Sequence, residues 1–239
     1  KTRTRLTFGT NTDFALGWTA DGKQILVNDE ATGILLVDAG GSGKTQTPGK
    51  GFSAATSRDG RWLTFTEPAR TTSFDIWYVG LRDGGKPQIF LQTPALELWP
   101  QFSADGKLLA YQSNESGRTQ VYIRPFPQGE GLWQASSDGG FWPRWNAAGN
   151  ALYYIGGGTL WEVGVSREEG GVTLGAPRAL FSRESFGENF ILDWPADFDV
   201  APDEKSFFIF EPVEPANPGR QAITVEENWA LQAAAKPQA

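Results

Sequence analysis

The chain has 239 residues, a net charge of −7, 39% hydrophobic and 21% charged residues, and neither Cys nor His. That is enough chain for one large all-β domain or two small ones. It excludes thiol and Ser-His-Asp nucleophiles, disulfides, Cys/His zinc sites and histidine-ligated haem within this chain. The acidic balance argues against nucleic acid as a partner, because counterion release needs clustered Lys and Arg, and the most basic stretch, Lys1 to Arg5, has only three cations. No run of about 18 apolar residues occurs, so no membrane insertion by this chain is expected. The absence of Cys does not settle the redox compartment: it fits an extracytoplasmic bacterial protein that avoids thiols and many other proteins alike. The chain opens on Lys1 without a signal peptide, so it reads as a mature chain or a cut domain.

In chain order, "RTRLTF" at 3–8 reads as a strand with no sheet of its own. A phrase of turn plus strand then recurs: "GWTADGKQILV" at 17–27, "ATSRDGRWLTF" at 55–65 and "QFSADGKLLAY" at 101–111. Weaker copies are "RWNAAGNALYY" at 144–154 and "DVAPDEKSFFIF" at 199–210. Asp-Gly supplies the residues that tolerate positive φ in a tight hairpin. Each phrase is followed by a third strand: "GILLVDA" at 33–39, "FDIWYVGL" at 74–81, "TQVYIRPF" at 119–126, "GTLWEVGV" at 158–165 and "QAITVEEN" at 221–228. A fourth strand follows three of these, as "PQIFLQ" at 87–92, "GLWQAS" at 131–136 and "PRALFS" at 177–182. The tail from Asn228 could form a short helix or be disordered.

The turn glycines Gly22, Gly60, Gly106 and Gly149 are spaced by 38, 46 and 43 residues. A period near 40–45 with several strands per unit is the signature of propeller blades. The last unit has three strands and the chain begins with a spare one. Residues 3–8 are therefore expected to complete the last blade and close the ring, which hides the sheet edges. The expectation is an all-β fold, a β-propeller of four-stranded antiparallel blades with five repeats, over residues 1–229, followed by a tail at 230–239.

The phrases "FSADGKLLAYQSNESGRTQVYIRPFPQGEGLWQASSDGGFWPRWNAAGNALYYI" closely resemble a TolB-like propeller with PD40-type, WD40-like repeats. The chain looks most like the C-terminal propeller of bacterial membrane-anchored serine/threonine kinases. The resemblance spans residues 1–229. It implies a propeller outside the cytoplasm that senses or binds partners and carries no catalytic motif. TolB-like propellers are usually six-bladed, so six blades is the alternative. Asn146-Ala-Ala-Gly149 and Ala201-Pro-Asp-Glu204 depart from the turn motif.

Three stretches invite a chemical reading. "DAGGSGKT" at 38–45 ends as a phosphate-binding loop does, but Asp38 replaces the leading Gly and "QTPGKG" cannot open the helix that such a loop needs. It reads as a turn between third and fourth strands. Asp193, Asp197, Asp199 and Asp203 cluster without an EF-hand pattern, so they read as loop and turn residues, and neither a metal nor a cofactor is expected. The third is positional: the loops entering each innermost strand crowd one rim of the channel. They bring Asp13, Glu97, Trp99, Trp142, Arg144 and Asp193 forward as ligand-binding candidates. Gln101, Arg144 and Asp199 hold matching places in three repeats, and Arg144 in the channel needs a carboxylate, with Asp199 the expected partner. The competing reading of Trp99 and Trp142 is packing between blades.

An aromatic and acidic rim suits a protein or peptide partner, or a small cationic or sugar-like ligand. The expected role is a non-catalytic binding or sensor module on the extracytoplasmic side. The alternatives are the substrate-gating propeller of a prolyl-oligopeptidase-like peptidase, a carboxylate-dependent glycan-active propeller, or an assembly subunit whose open blade takes a neighbour's strand.

Overall fold

A computed structural model of the protein describes residues 3–8, 13–19, 21–29, 31–47, 49–82, 85–128, 130–168, 171–182, 198–201, 206–209 and 224–226. The described residues form strands, turns and bends without a helix. Three sheets have four antiparallel strands in simple meander order. Blade 1 holds β2 (Asp13–Trp18), β3 (Gln24–Asp29), β4 (Gly33–Asp38) and β5 (Lys44–Gln46). Blade 2 holds β6 (Ala54–Thr56), β7 (Trp62–Pro68), β8 (Phe74–Gly80) and β9 (Gln88–Leu91). Blade 3 holds β10 (Glu97–Phe102), β11 (Leu108–Ser113), β12 (Gln120–Pro125) and β13 (Trp133–Gln134).

Blade 4 departs from the meander. Its first strands are β14 (Phe141–Trp145) and β15 (Ala151–Gly156), and its third, β16 (Thr159–Glu168), runs for 10 residues. The first half of β16 pairs with β18 (Arg178–Ser182), the expected fourth strand. Its second half continues past the sheet and pairs with β17 (Gly171–Leu174), a hairpin that the repeat pattern did not foretell. Val172 and Leu174 of that hairpin pack against the core between blades 3 and 4.

The last unit supplies β19 (Phe198–Val200) paired with β20 (Phe207–Ile209), and β21 (Thr224–Glu226). The N-terminal strand β1 (Arg3–Arg5) pairs antiparallel with β21, Arg3 opposite Glu226 and Arg5 opposite Thr224. The N-terminal strand thus meets the third strand of the last unit, over a shorter stretch than residues 3–8, and among the described residues this pair and β19–β20 are separate two-stranded sheets. Leu6, just beyond it, is buried against Ile25, Val27, Leu35 and Val37 of blade 1. The tail at 230–239 lies outside the described residues.

The sheets are stacked face to face, and this explains their sequences. In a strand, alternate side chains point to opposite faces, so a sheet covered on both sides needs a continuous apolar run. In β11, Leu108 and Ala110 join the core shared with blade 4, while Leu109 and Tyr111 join the one shared with blade 2. A third core, of Leu26, Ile34, Leu63 and Phe65, sits between blades 1 and 2. Phe198 and Phe207 of the last unit pack with Tyr153, Ile155 and Leu160 of blade 4. The innermost strands touch in succession, β2 to β6, β6 to β10, β10 to β14 and β14 to β19, and so surround a channel.

The recurring phrase proves to be a turn lock. In the first three blades Thr19, Ser57 and Ser103 each donate a side-chain hydrogen bond to the Asp two residues on (2.7, 2.7 and 2.8 Å). The same hydroxyls accept the N–H of Gln24, Trp62 and Leu108, while the Asp accepts the N–H of Lys23, Arg61 and Lys107. In blade 4, Asn146 alone accepts both the Asn150 and Ala151 N–H groups. Gly22, Gly60, Gly106 and Gly149 all lie at φ between 65 and 73°, the left-handed region where a Cβ is costly. The phrase recurs because the end of each inner hairpin must be built the same way.

Candidate functional site: the channel and its rim

The inner strands run from the rim down to these turns. Three of them carry one extra residue: between Ala15 and Gly17 in β2, Leu98 and Gln101 in β10, and Phe141 and Arg144 in β14. In β10 and β14 the bulge places Trp99 at φ 56° and Trp142 at φ 55°. A bulky residue in this region is a genuine outlier, costing of the order of 1–3 kcal/mol and held only by its surroundings. Those surroundings are visible. The Trp99 N–H donates to Ser53 Oγ of blade 2 (3.2 Å), and the Trp142 N–H to Gln112 Oε1 of blade 3 (3.0 Å). Each bulge is therefore stitched to the preceding sheet. Trp99 meets Phe52 edge to face, and both tryptophans remain partly exposed.

Toward the turn end of the inner strands lies a cavity of about 290 Å³, lined by Gln101, Arg144, Trp145 and Asp199 together with the turn residues Arg58 and Ser103; Trp99 and Trp142 are not among its walls. The structure thus brings together Gln101, Arg144 and Asp199, as the register of the repeats implies. Burial pulls the Arg144 guanidinium below its usual pKa, and the nearby Asp199 carboxylate acts in the opposite sense. Arg144 also donates to the Pro143 carbonyl (3.1 Å) and stands 5.9 Å from the centre of the Phe198 ring, within cation–π range. At the turn end, Arg58 of blade 2 reaches past blade 3 and donates to the Ala147 carbonyl of blade 4 (2.8 Å).

The rim candidates do not all occupy one surface. Trp99 and Trp142 flank the entrance, and Asp13 opens β2 with Oδ1 buried and without a hydrogen-bond partner. Asp193 lies outside the described residues. Glu97 is 1% exposed and points into the protein, not across the opening. Its Oε1 accepts from Thr93 Oγ1, while its Oε2 is buried without a partner. Burial pushes its pKa up to about 7, overcoming the Thr93 hydrogen bond, with Asp75 and Glu115 adding negative charge nearby. Asp75, fully buried at the start of β8, was not singled out from sequence. A lone carboxylate opening the apolar run "FDIWYVG" was the available signal. Among the described residues no three His, Cys, Asp or Glu gather as a metal-ligand group. The Gly-Lys-Thr at 43–45 leads into β5, a strand, so it offers no helix N-terminus to a phosphate.

No family model matches the chain, and no curated protein matches it. Several solved structures do. TolB from Acinetobacter baumannii aligns at 18% identity with a TM-score of 0.56, covering 69% of this chain and 43% of TolB. An oligogalacturonate lyase, solved in complex with manganese, aligns at 15% identity and TM-score 0.56, covering 73% of this chain and 56% of the lyase. The Cps50 (Swd1) β-propeller domain of Myceliophteria thermophila gives 11% and 0.53, covering 72% and 60%. The chain therefore spans about half the length of these proteins. At such identities the likeness is one of fold, and fold does not carry function. Stacked four-stranded antiparallel sheets around a channel, with these neighbours, make the chain an all-β propeller of the TolB-like, WD40-type fold.

Proposed function

We propose that this propeller is a non-catalytic binding module that recognises a protein or peptide partner at the channel mouth. We place it on the extracytoplasmic side of a bacterial cell, as the sensor part of a larger receptor-like protein. The observation that carries this reading is the pair of bulges at Trp99 and Trp142. Two equivalent inner strands hold a large aromatic at positive φ, and two residues along from Trp142 the same strand brings Arg144 into a cavity that Asp199 also lines. Strain kept at matching positions is a recurrent mark of ligand sites, and rigid aromatic anchors around a charged group are what binding hot spots use. A hard scaffold presenting such groups needs no moving parts to recognise an extended chain. The location rests on the resemblance to kinase-linked propellers and on the TolB neighbour, and the binding role on the site.

The test is to pan a phage-displayed peptide library over immobilised wild-type protein and over Arg144→Ala. Peptides enriched on wild type, recovered intact after incubation and lost on the variant are expected. Peptides that bind both proteins equally would remove the channel mouth from the reading, and peptides cleaved in an Arg144-dependent way would replace a binding module by an enzyme.

A further inference from the structure

The junction between blades 2 and 3 buries two carboxylates where the next junction buries none. Asp75 and Glu97 are 0% and 1% exposed. They are brought together by the bridge between Phe74 and Leu96, which lays the start of β8 parallel to the chain entering β10. One oxygen of each is satisfied, Asp75 Oδ2 by Gln92 Nε2 (2.6 Å) and Glu97 Oε1 by the Thr93 hydroxyl. The others, Asp75 Oδ1 and Glu97 Oε2, are buried with no hydrogen-bond partner, and so is the Thr72 hydroxyl three residues before Asp75. Buried carboxylate oxygens left bare are among the costliest arrangements a fold can hold.

The equivalent place between blades 3 and 4 is an internal control. Gln120 stands where Asp75 does, and Gly140 where Glu97 does. There Gln120 Oε1 accepts from the Ser136 hydroxyl (2.5 Å) and the Gly139 N–H (3.1 Å), and its Nε2 donates to the Ser137 carbonyl. A side chain at Gly140 would run into Ser136, whose Cβ lies 2.6 Å from the position a Cβ would take. The fold can therefore close this joint with a neutral, fully bonded network. In blades 2 and 3 it instead carries two negative groups, and the strongest charges acting on Glu97, Asp75 and Glu115, are both negative.

We propose that Asp75 Oδ1 and Glu97 Oε2 bind a hard cation of the Ca²⁺ class at the junction of blades 2 and 3, with the Thr72 hydroxyl as a neutral ligand. Ca²⁺ favours oxygen donors of mixed charge and accepts irregular geometry, which suits two carboxylates and a hydroxyl on separate segments. Binding would neutralise the pair and tie the 69–73 loop to the strand that carries Trp99. The raised pKa of Glu97 fits such a pair when no cation is bound, since a proton then does part of the work.

The experiment is a thermal melt at pH 8 in chelator and in millimolar Ca²⁺, with Tb³⁺ luminescence excited through tryptophan as a second readout on the wild-type protein. The melting temperature is expected to rise by about 5 °C with Ca²⁺, and Tb³⁺ emission to be displaced by Ca²⁺. Glu97→Gln and Asp75→Asn should lose both effects. Thr72→Val, which leaves the carboxylates intact, should weaken Ca²⁺ about tenfold. Identical wild-type melts with and without Ca²⁺, and no displaceable Tb³⁺ signal, would overturn the proposal. So would Tb³⁺ binding that survives in both carboxylate variants. A melt that ignores Ca²⁺ but depends on Glu97 between pH 5 and 8 would assign the junction to a shared proton instead.

Discussion

Removing the hydroxyl of Ser103 tests whether the repeated phrase is a lock or an ornament. Ser103 is buried, and its Oγ accepts the Leu108 N–H at 3.0 Å, donates to Asp105 at 2.8 Å and accepts from Arg167 at 3.1 Å. In Ser103→Ala the Leu108 N–H is left in a buried turn. An orphaned buried donor costs roughly 1–3 kcal/mol, and the bonds to the partly exposed Asp105 and Arg167 add less. The expected loss is about 2 kcal/mol. Ser57→Ala breaks the same two bonds in blade 2, to Trp62 N at 3.0 Å and Asp59 at 2.7 Å. There the donor residue is only half-buried and no arginine is attached, so about 1 kcal/mol is expected. Ser103→Thr places at blade 3 the residue that blade 1 uses at Thr19, and should be within about 0.5 kcal/mol of wild type. Urea titration at pH 7 reads all three, provided the slope with denaturant is unchanged. If Ser103→Ala costs less than Ser57→Ala, or Ser103→Thr costs as much as Ser103→Ala, the hydroxyl is not what holds the turn.

Other outcomes are equally definite. In chelator, the folded-state pKa of Glu97, about 7, lies above its ordinary 4.5. Its contribution is therefore full below pH 4.5 and is lost as pH rises through about 7, by at most about 3 kcal/mol; Glu97→Gln should flatten that part of the stability curve measured by denaturation from pH 4 to 8. Asp105 has the opposite sign: despite the upward pull of burial, Arg167 and the Lys107 N–H hold its pKa down to about 2. Its contribution is present above about pH 4 and lost as pH falls through about 2. Arg167→Ala should return its carboxyl toward the usual range in an NMR titration, at a cost of about 1 kcal/mol or less because the pair is partly exposed. A Cβ at Gly51 would sit 1.7 Å from the Thr66 carbonyl oxygen. Gly51→Ala should thus lose more than about 3 kcal/mol or fail to fold, by circular dichroism. Gly43→Ala, which meets nothing within 4 Å, should melt as wild type does.

What the sequence made legible was whatever is fixed by bonds between near neighbours. The Ser-x-Asp-Gly turns recur because each closes on itself within six residues, so the pattern survives in the letters. The continuous apolar strands announced sheets covered on both faces, and the matching places of Gln101, Arg144 and Asp199 followed from the register of the repeats. The bulges were hidden, because residues before proline favour extended backbone and no propensity assigns a tryptophan to positive φ. One inserted residue reverses which side chains face inward, so the depth of Glu97 was hidden with them. The β17 hairpin escaped for another reason: it continues β16 past the sheet, and nothing in the blade period asks for it. Lys44–Gln46 was overlooked as a strand because it is only three residues long and is flanked on both sides by turn formers, Gly-Gly-Ser-Gly before it and Pro-Gly shortly after it.

The reach of Arg58 across to Ala147 has a mechanical consequence. An exposed guanidinium on the turn of the second sector holds a backbone carbonyl on the turn of the fourth. The two sectors that flank the third are thus joined directly at that end, by a charge-assisted bond that is stronger than one between neutral groups. A displacement of either turn is felt by the other without passing through the sheet between them.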